Sequence, residues 1–162
     1  PDFAQAILRL ARAEGLHTTI ETCGACNWAT LEGLLPYLDL VLFDLKHMDP
    51  QMHRRYTGGD NSGILENLRQ AACSGVELVV RAPLVPGFNT SPESLEAMAG
   101  FIRSLAGVRE VHLLPYHALG RAKYRALGMK YPIEDTLPMS FETVEELARP
   151  FRACGLDVVV GG

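Results

Sequence analysis

Along this chain the apolar positions keep switching between two rhythms. Helical spacing opens it: Phe3, Ile7, Leu10 and Ala11 share one face. Asp2 is placed to cap that segment, with Gln5 three residues later as in a capping box, and Gly15 ends it. Residues 17–21 are β-rich and short, and read as a strand. Residues 28–35 form a short amphipathic helix stopped by Pro36. Residues 39–45 are apolar without alternation, the pattern of a strand buried on both faces of a parallel sheet. A loop with a short helix spans 46–57, and the glycine-rich stretch 58–63 is a turn. A helix over 64–73, with Ile64, Leu65, Leu68 and Ala72 on one side, leads to an apolar strand over 76–82. A rigid loop covers 83–89.

Ser91 then caps a helix with Pro92 at its first position and Leu95, Met98, Ala99, Ile102 and Leu105 as its buried stripe. A strand is expected over 110–114. A long loop over 115–138 follows, with one helical turn near 123–127. Ser140 caps the last helix, where Met139 can staple onto Val144, and residues 156–160 close the chain as a strand. Helices alternating with strands imply parallel pairing through right-handed crossovers. The fold class is α/β, either an open doubly wound sheet or part of a (β/α) barrel.

The length of 162 residues fits one domain and one sizeable core. With 48% hydrophobic and 21% charged residues, disorder is excluded. No uninterrupted apolar run of about 18 residues exists, which argues against a membrane span. A net charge of −4 is not the footprint of a nucleic-acid binder. Arg121, Lys123, Tyr124 and Arg125 interleave cations with an aromatic, but read better as a solvated loop face. The four cysteines, Cys23, Cys26, Cys73 and Cys154, need not pair in a chain with this much core, so a reduced, cytoplasmic setting is expected. The chain opens at Pro1 without Met and runs straight into a helix, as expected of a piece of something longer.

In parallel α/β folds chemistry gathers at the carboxyl ends of strands. The first strand ends in Glu21 and Thr22, the second in Asp44, Leu45 and Lys46, the third in Arg81, and the fourth runs into Pro115, Tyr116 and His117. Asp44 and Lys46 lie two apart and share a face. With Glu21, Arg81 and His117 they make a mixed-charge cluster suited to a zwitterion such as an amino-acid moiety. The same residues also fit a buried ion-pair network that satisfies only itself. Cys23 and Cys26 form Cys-x-x-Cys after a strand, a redox pair or half a zinc site, with nothing to complete the zinc set. Two cysteines cannot supply the usual thiolates of an iron–sulfur cluster. His47, His53 and His112 show no metal-ligand spacing.

The runs Glu21-Thr22-Cys23-Gly24, Asp44-Leu45-Lys46, Val85-Pro86-Gly87-Phe88-Asn89 and Leu114-Pro115-Tyr116-His117-x-Leu119-Gly120-x-x-Lys123-Tyr124 together resemble the glycyl-radical-enzyme activating enzymes of the radical S-adenosylmethionine superfamily. The likeness covers essentially the whole chain, including the Gly161-Gly162 ending. It implies a partial (β/α) barrel, here its last four strands. In that family a [4Fe–4S] cluster cleaves S-adenosylmethionine, and the resulting 5′-deoxyadenosyl radical takes a hydrogen atom from a glycine of a partner enzyme. By the same resemblance Asp44, Lys46 and His117 hold S-adenosylmethionine, with Lys46 on its carboxylate. Arg81 lies near the cofactor or the partner's glycine loop. Glu21, Thr22 and Asp44 match positions that help ligate a monovalent cation, the first of which is often Asp.

The family's Cys-x₃-Cys-x₂-Cys motif and its Gly-Gly-Glu segment are absent and are expected before Pro1. The implied partners are a glycyl-radical enzyme and a reductant such as flavodoxin or ferredoxin. This chain alone is expected to bind no cluster, to hold S-adenosylmethionine weakly or not at all, and to be inactive. The alternatives are a module that binds a partner protein's glycine loop without chemistry of its own, and a metabolite-binding α/β domain. A barrel cut before residue 17 also exposes a strand edge, which predicts dimerisation there or cover from the first helix.

Overall fold

The computed structural model describes residues 1–131, 133, 136 and 138–161. Five parallel strands make one sheet: β1 (Thr19–Thr22), β2 (Leu40–Asp44), β3 (Glu77–Leu84), β4 (Glu110–Pro115) and β5 (Asp157–Val160). That is one strand more than the four the resemblance implies. The helices are α1 (Asp2–Ala13), α2 (Trp28–Glu32), α3 (Pro50–Thr57), α4 (Ser62–Ala72), α5 (Pro92–Ser104), α6 (Gly120–Ala126), α7 (Phe141–Leu147) and α8 (Arg149–Ala153), with a 3₁₀ turn at Leu35–Tyr37. The strands follow one another across the sheet in chain order. A doubly wound sheet must reverse direction about its first strand. This sheet adds every strand on the same side and is an open segment of a (β/α) barrel.

Alternation along the strands divides the sheet into two faces. Val41 and Phe43 of β2, Val80, Ala82 and Leu84 of β3, and Val111 and Leu113 of β4 are fully buried. They share one core cluster with Leu68, Met98, Ala99, Ile102 and Phe151 from the helices. The opposite face carries Leu40, Leu42 and Asp44, which are only half-buried. The expectation that β2 is buried on both faces is therefore corrected, because helices cover one side of the sheet only.

Local chemistry sets the helix ends. Ser91 Oγ accepts from Ser94 N at 3.2 Å with Pro92 in the first turn, and Ser140 Oγ accepts from Thr143 N at 3.2 Å. The first helix departs from expectation. Pro1 takes the cap position and Asp2 lies inside the first turn, where its charge favours the helix dipole without capping. Gln5 instead donates from Nε2 to the Gly33 carbonyl at 2.8 Å. Leu8 is the buried residue of α1, whereas Phe3, Ile7 and Leu10 are exposed. The expected last helix is split at Ala148, since Pro150 has no N–H to continue the ladder and sits in the first turn of α8. The single turn expected near 123–127 is α6, starting three residues earlier at Gly120. β3 runs on past Arg81 because Pro83 and Leu84 pair with Leu114 and Pro115. Gly162 of the closing glycine pair lies outside the described residues. Among the described residues no helix is long and apolar enough to cross a membrane.

Candidate cofactor site on the open face

Strand register brings the charged residues together. β1 sets Glu21 beside Leu42, and β2 sets Asp44 directly beside Arg81. The Arg81 side chain crosses over β2 to reach Glu21 on the far strand. Its Nη1 and Nη2 donate to the two Glu21 oxygens at 2.8 and 3.0 Å, and its Nε donates to Asp44 Oδ1 at 3.1 Å. Lys46 Nζ donates to Asp44 Oδ2 at 3.3 Å. Two carboxylates and two cations thus form one balanced chain, Glu21–Arg81–Asp44–Lys46. Burial works against the charge on Arg81, but the bonds to Glu21 and Asp44 outweigh it and raise its pKa. The Glu21 side chain is 62% exposed against 15% for Arg81. The outer fork is therefore screened and adds little stability. The Asp44–Arg81 contact is the sheltered one.

The remaining expected site residues fall elsewhere. Thr22 pairs with Phe43 and so belongs to the covered face, where its Oγ1 accepts from Gly24 N at 3.0 Å. His117 is exposed, five positions beyond His112, which is the β4 residue level with Arg81. None of the network's hydrogen bonds reaches it. His112 itself was passed over in the sequence because spacing alone gave it no partner. Its Nε2–H donates to Glu110 Oε1 at 2.7 Å.

Three buried asparagines tie down the loops around this rim: Asn61 and Asn67, which the sequence left unmarked, and Asn89, which ends the Val85–Asn89 run but was given no role there. Asn67 Nδ2 donates to the Gly24 and Cys26 carbonyls, both at 2.8 Å. Asn61 Nδ2 donates to the His47 and Met48 carbonyls at 2.8 and 3.0 Å. Asn89 holds Lys46 in the same way and is taken up below. Gly24 has φ +65° and lies against the Phe43 ring, so no side chain fits there.

Residues 1–102 match the radical SAM superfamily. The chain belongs to that superfamily. It is 40% identical over 149 residues to the isethionate sulfite-lyase activating enzyme of Nitratidesulfovibrio vulgaris, covering 91% of this chain and 48% of that protein. It is 34% identical over 149 residues to the pyruvate formate-lyase-activating enzyme of Clostridium pasteurianum, covering 92% and 62%. A domain of the pyruvate-formate lyase-activating enzyme from Bacteroides vulgatus superposes with a TM-score of 0.81 at 27% identity, covering 100% of this chain and 91% of that one. The chain spans about half the length of most of the curated relatives it matches.

Radical SAM proteins use S-adenosylmethionine and a [4Fe–4S] cluster. The open face fits the first. Lys46 spends one of its three N–H donors on Asp44, which leaves an ammonium for a carboxylate. Asp44 beside it offers the opposite charge to an amino group. A cation fits less readily. Each oxygen of Glu21 and Asp44 already accepts one bond from Arg81 or Lys46, so an incoming ion shares its carboxylates with two cations that repel it. A cluster does not fit this chain's own cysteines. Cys23 and Cys26 follow β1 at the carboxyl end of the sheet, whereas Cys73 and Cys154 close α4 and α8 ahead of β3 and β5, at the amino end. Thiolates at opposite ends of a sheet cannot converge on one cluster.

Proposed function

We propose that this chain is the S-adenosylmethionine-contacting part of an enzyme that activates a glycyl-radical enzyme. The observation that carries the reading is the Glu21–Arg81–Asp44–Lys46 chain on the open face of a radical SAM sheet. Lys46 receives the methionyl carboxylate, and Asp44 orients Lys46 while facing the amino group. Arg81 pairs with Asp44 from the other side, and His117, exposed beyond β4, is assigned to the same cofactor by its motif. Of the three residues that match the family's monovalent-cation positions, Glu21 and Asp44 offer side-chain oxygens on the open face, which Arg81 and Lys46 must share on loading, while the Thr22 hydroxyl faces the helices and stays outside that set. S-adenosylmethionine and the [4Fe–4S] cluster, once bound in the whole protein, supply the chemistry that removes hydrogen from a partner's glycine.

Residues 1–162 act as one domain of the larger barrel, with the cluster ligands outside it. The partners are a glycyl-radical enzyme and a reductant such as flavodoxin or ferredoxin. The compartment is the cytoplasm, in keeping with four free cysteines. Made on its own, the chain is inactive, and the free edge of β1 favours pairing of two copies. The central test is calorimetry of S-adenosylmethionine on the whole protein, wild type against Lys46→Met. A loss of affinity of at least about tenfold is expected for removing a charge-assisted contact, and equal affinities would reject the reading. Anaerobic reconstitution of the isolated chain should yield no cluster iron, and one cluster per chain would overturn the assignment of ligands.

A further inference from the structure

Lys46 lies just past the end of β2, where the sheet itself can no longer hold it. The ladder between β2 and β3 reaches Leu45, whose N–H donates to the Arg81 carbonyl at 2.8 Å. The next rung requires an N–H from residue 83, and Pro83 has none. Asn89 ties the two strands together just beyond that missing rung. It is fully buried, and its Nδ2 donates to the Lys46 carbonyl at 2.8 Å and to the Pro83 carbonyl at 2.6 Å. Its Oδ1 accepts from Val85 N at 2.8 Å. One amide therefore joins the Lys46 backbone to the exit of β3, the strand that carries Arg81. All its strong hydrogen-bonding directions serve that junction.

We infer that Asn89 is the positioning residue of this site, fixing Lys46 relative to Arg81 and Asp44 so that its ammonium meets a ligand carboxylate. This rests on the proposed role of Lys46. Asn89 touches no ligand. It acts through the backbone of Lys46, and only Asn matches this pattern of two donors and one acceptor at this reach. A buried amide that merely satisfied itself would contribute to stability wherever it lay. A positioning amide changes ligand affinity, and does so only while Lys46 is present.

The experiment uses the whole protein and titrates S-adenosylmethionine calorimetrically, at a temperature where circular dichroism shows every variant folded. Asn89→Ala should weaken binding about tenfold, and on a Lys46→Met background it should add less than about twofold. Thr18→Val is the control. It removes an equally buried hydroxyl, bonded to the Tyr37 carbonyl at 2.6 Å, at the amino end of the sheet. It should lower the melting temperature and leave affinity within about twofold. Affinity of Asn89→Ala equal to wild type, or an undiminished effect on the Lys46→Met background, overturns the inference. Should Asn89→Ala fail to fold, Asn89→Asp keeps the acceptor for Val85, loses both donors and is read in the same way.

A second readout does not depend on the ligand. Acylation of the Lys46 amine, followed by peptide mass spectrometry, should speed up several-fold in the Asn89 variant and not in Thr18→Val, because Lys46 leaves Asp44. Unchanged affinity in Lys46→Met alone would reject the cofactor role of Lys46. The acylation rates would then still decide the role of Asn89, equal rates counting against it.

Discussion

The two faces of the sheet are built from the same strands and do opposite work. On β2, Val41 and Phe43 point to the helices and are fully buried, while Leu42 and Asp44 between and beyond them stay half-exposed. The covered face is apolar across β2, β3 and β4, and those side chains share one cluster, with Thr22 of the edge strand as a polar exception. The open face mixes Leu42 with Glu21, Asp44, Arg81 and His112. A strand's two-residue period thus lets one segment of chain carry a core and a binding surface at once. Stability is concentrated on one side, so the other is free to hold charge. A purely parallel sheet ordinarily has both faces covered, which makes the open face the place where other chain or ligand belongs.

The largest effect should come from the covered face. Phe43→Ala should cost about 3–5 kcal/mol in urea unfolding, and a cost near that of a surface mutation would show that the two faces are not distinct. Next is Arg81→Met. It leaves Asp44 sheltered with Lys46 as its remaining ion pair and should cost about 1–3 kcal/mol, together with a loss of S-adenosylmethionine binding in the whole protein. Full retention of binding would reduce the ion chain to a structural feature. Leu42→Ala, one residue from Phe43, should cost only about 1 kcal/mol in the isolated chain, since the side chain is half in water already. A larger cost in the whole protein than in the isolated chain would show that the open face is covered there.

The smallest effect is a pH dependence at the loop beside the rim. Burial holds His47 below the ordinary histidine value of 6.5, against the pull of the Phe88 carbonyl and the Asp49 charge. The folded state therefore resists a proton that the unfolded chain accepts. Stability should be flat above about pH 6.5 and fall as the pH drops below it. In the fold, Nδ1 accepts from Asp49 N at 2.9 Å, a bond that protonation ends. Urea midpoints at neutral and mildly acidic pH should differ in wild type and less so in His47→Gln. Equal slopes would assign the effect to another group.

Much of this was legible in the sequence because it is local. Ser91, Pro92 and Ser140 mark helix starts through bonds made within three residues. Apolar or β-rich runs marked all five strands, and the residues they offered at strand ends include Glu21, Asp44, Lys46 and Arg81, whose side chains the structure brings together. What failed was whatever depended on a distant neighbour. Phe3, Ile7 and Leu10 make a clear helical stripe, yet the buried residue is Leu8, because the rest of the molecule decides which face of α1 is used. Which histidine sits level with Arg81 likewise came from pairing: it is His112, which the sequence left without a role, and not His117 five residues on. Asn89 stands in a recognisable motif, but its role depends on carbonyls 6 and 43 residues away, Pro83 and Lys46, which local pattern does not reveal.

Periodicity and end signals by themselves determined the class of fold, the order of its elements and the residue types offered at each strand end. Only the tertiary structure decided that the strands add in one direction, that Arg81 reaches across β2 to Glu21, and that Thr22 turns to the other face. The physical reason is that a strand's own alternation fixes which residues share a side. The register between strands, set by pairing over dozens of residues, fixes which of those side chains meet.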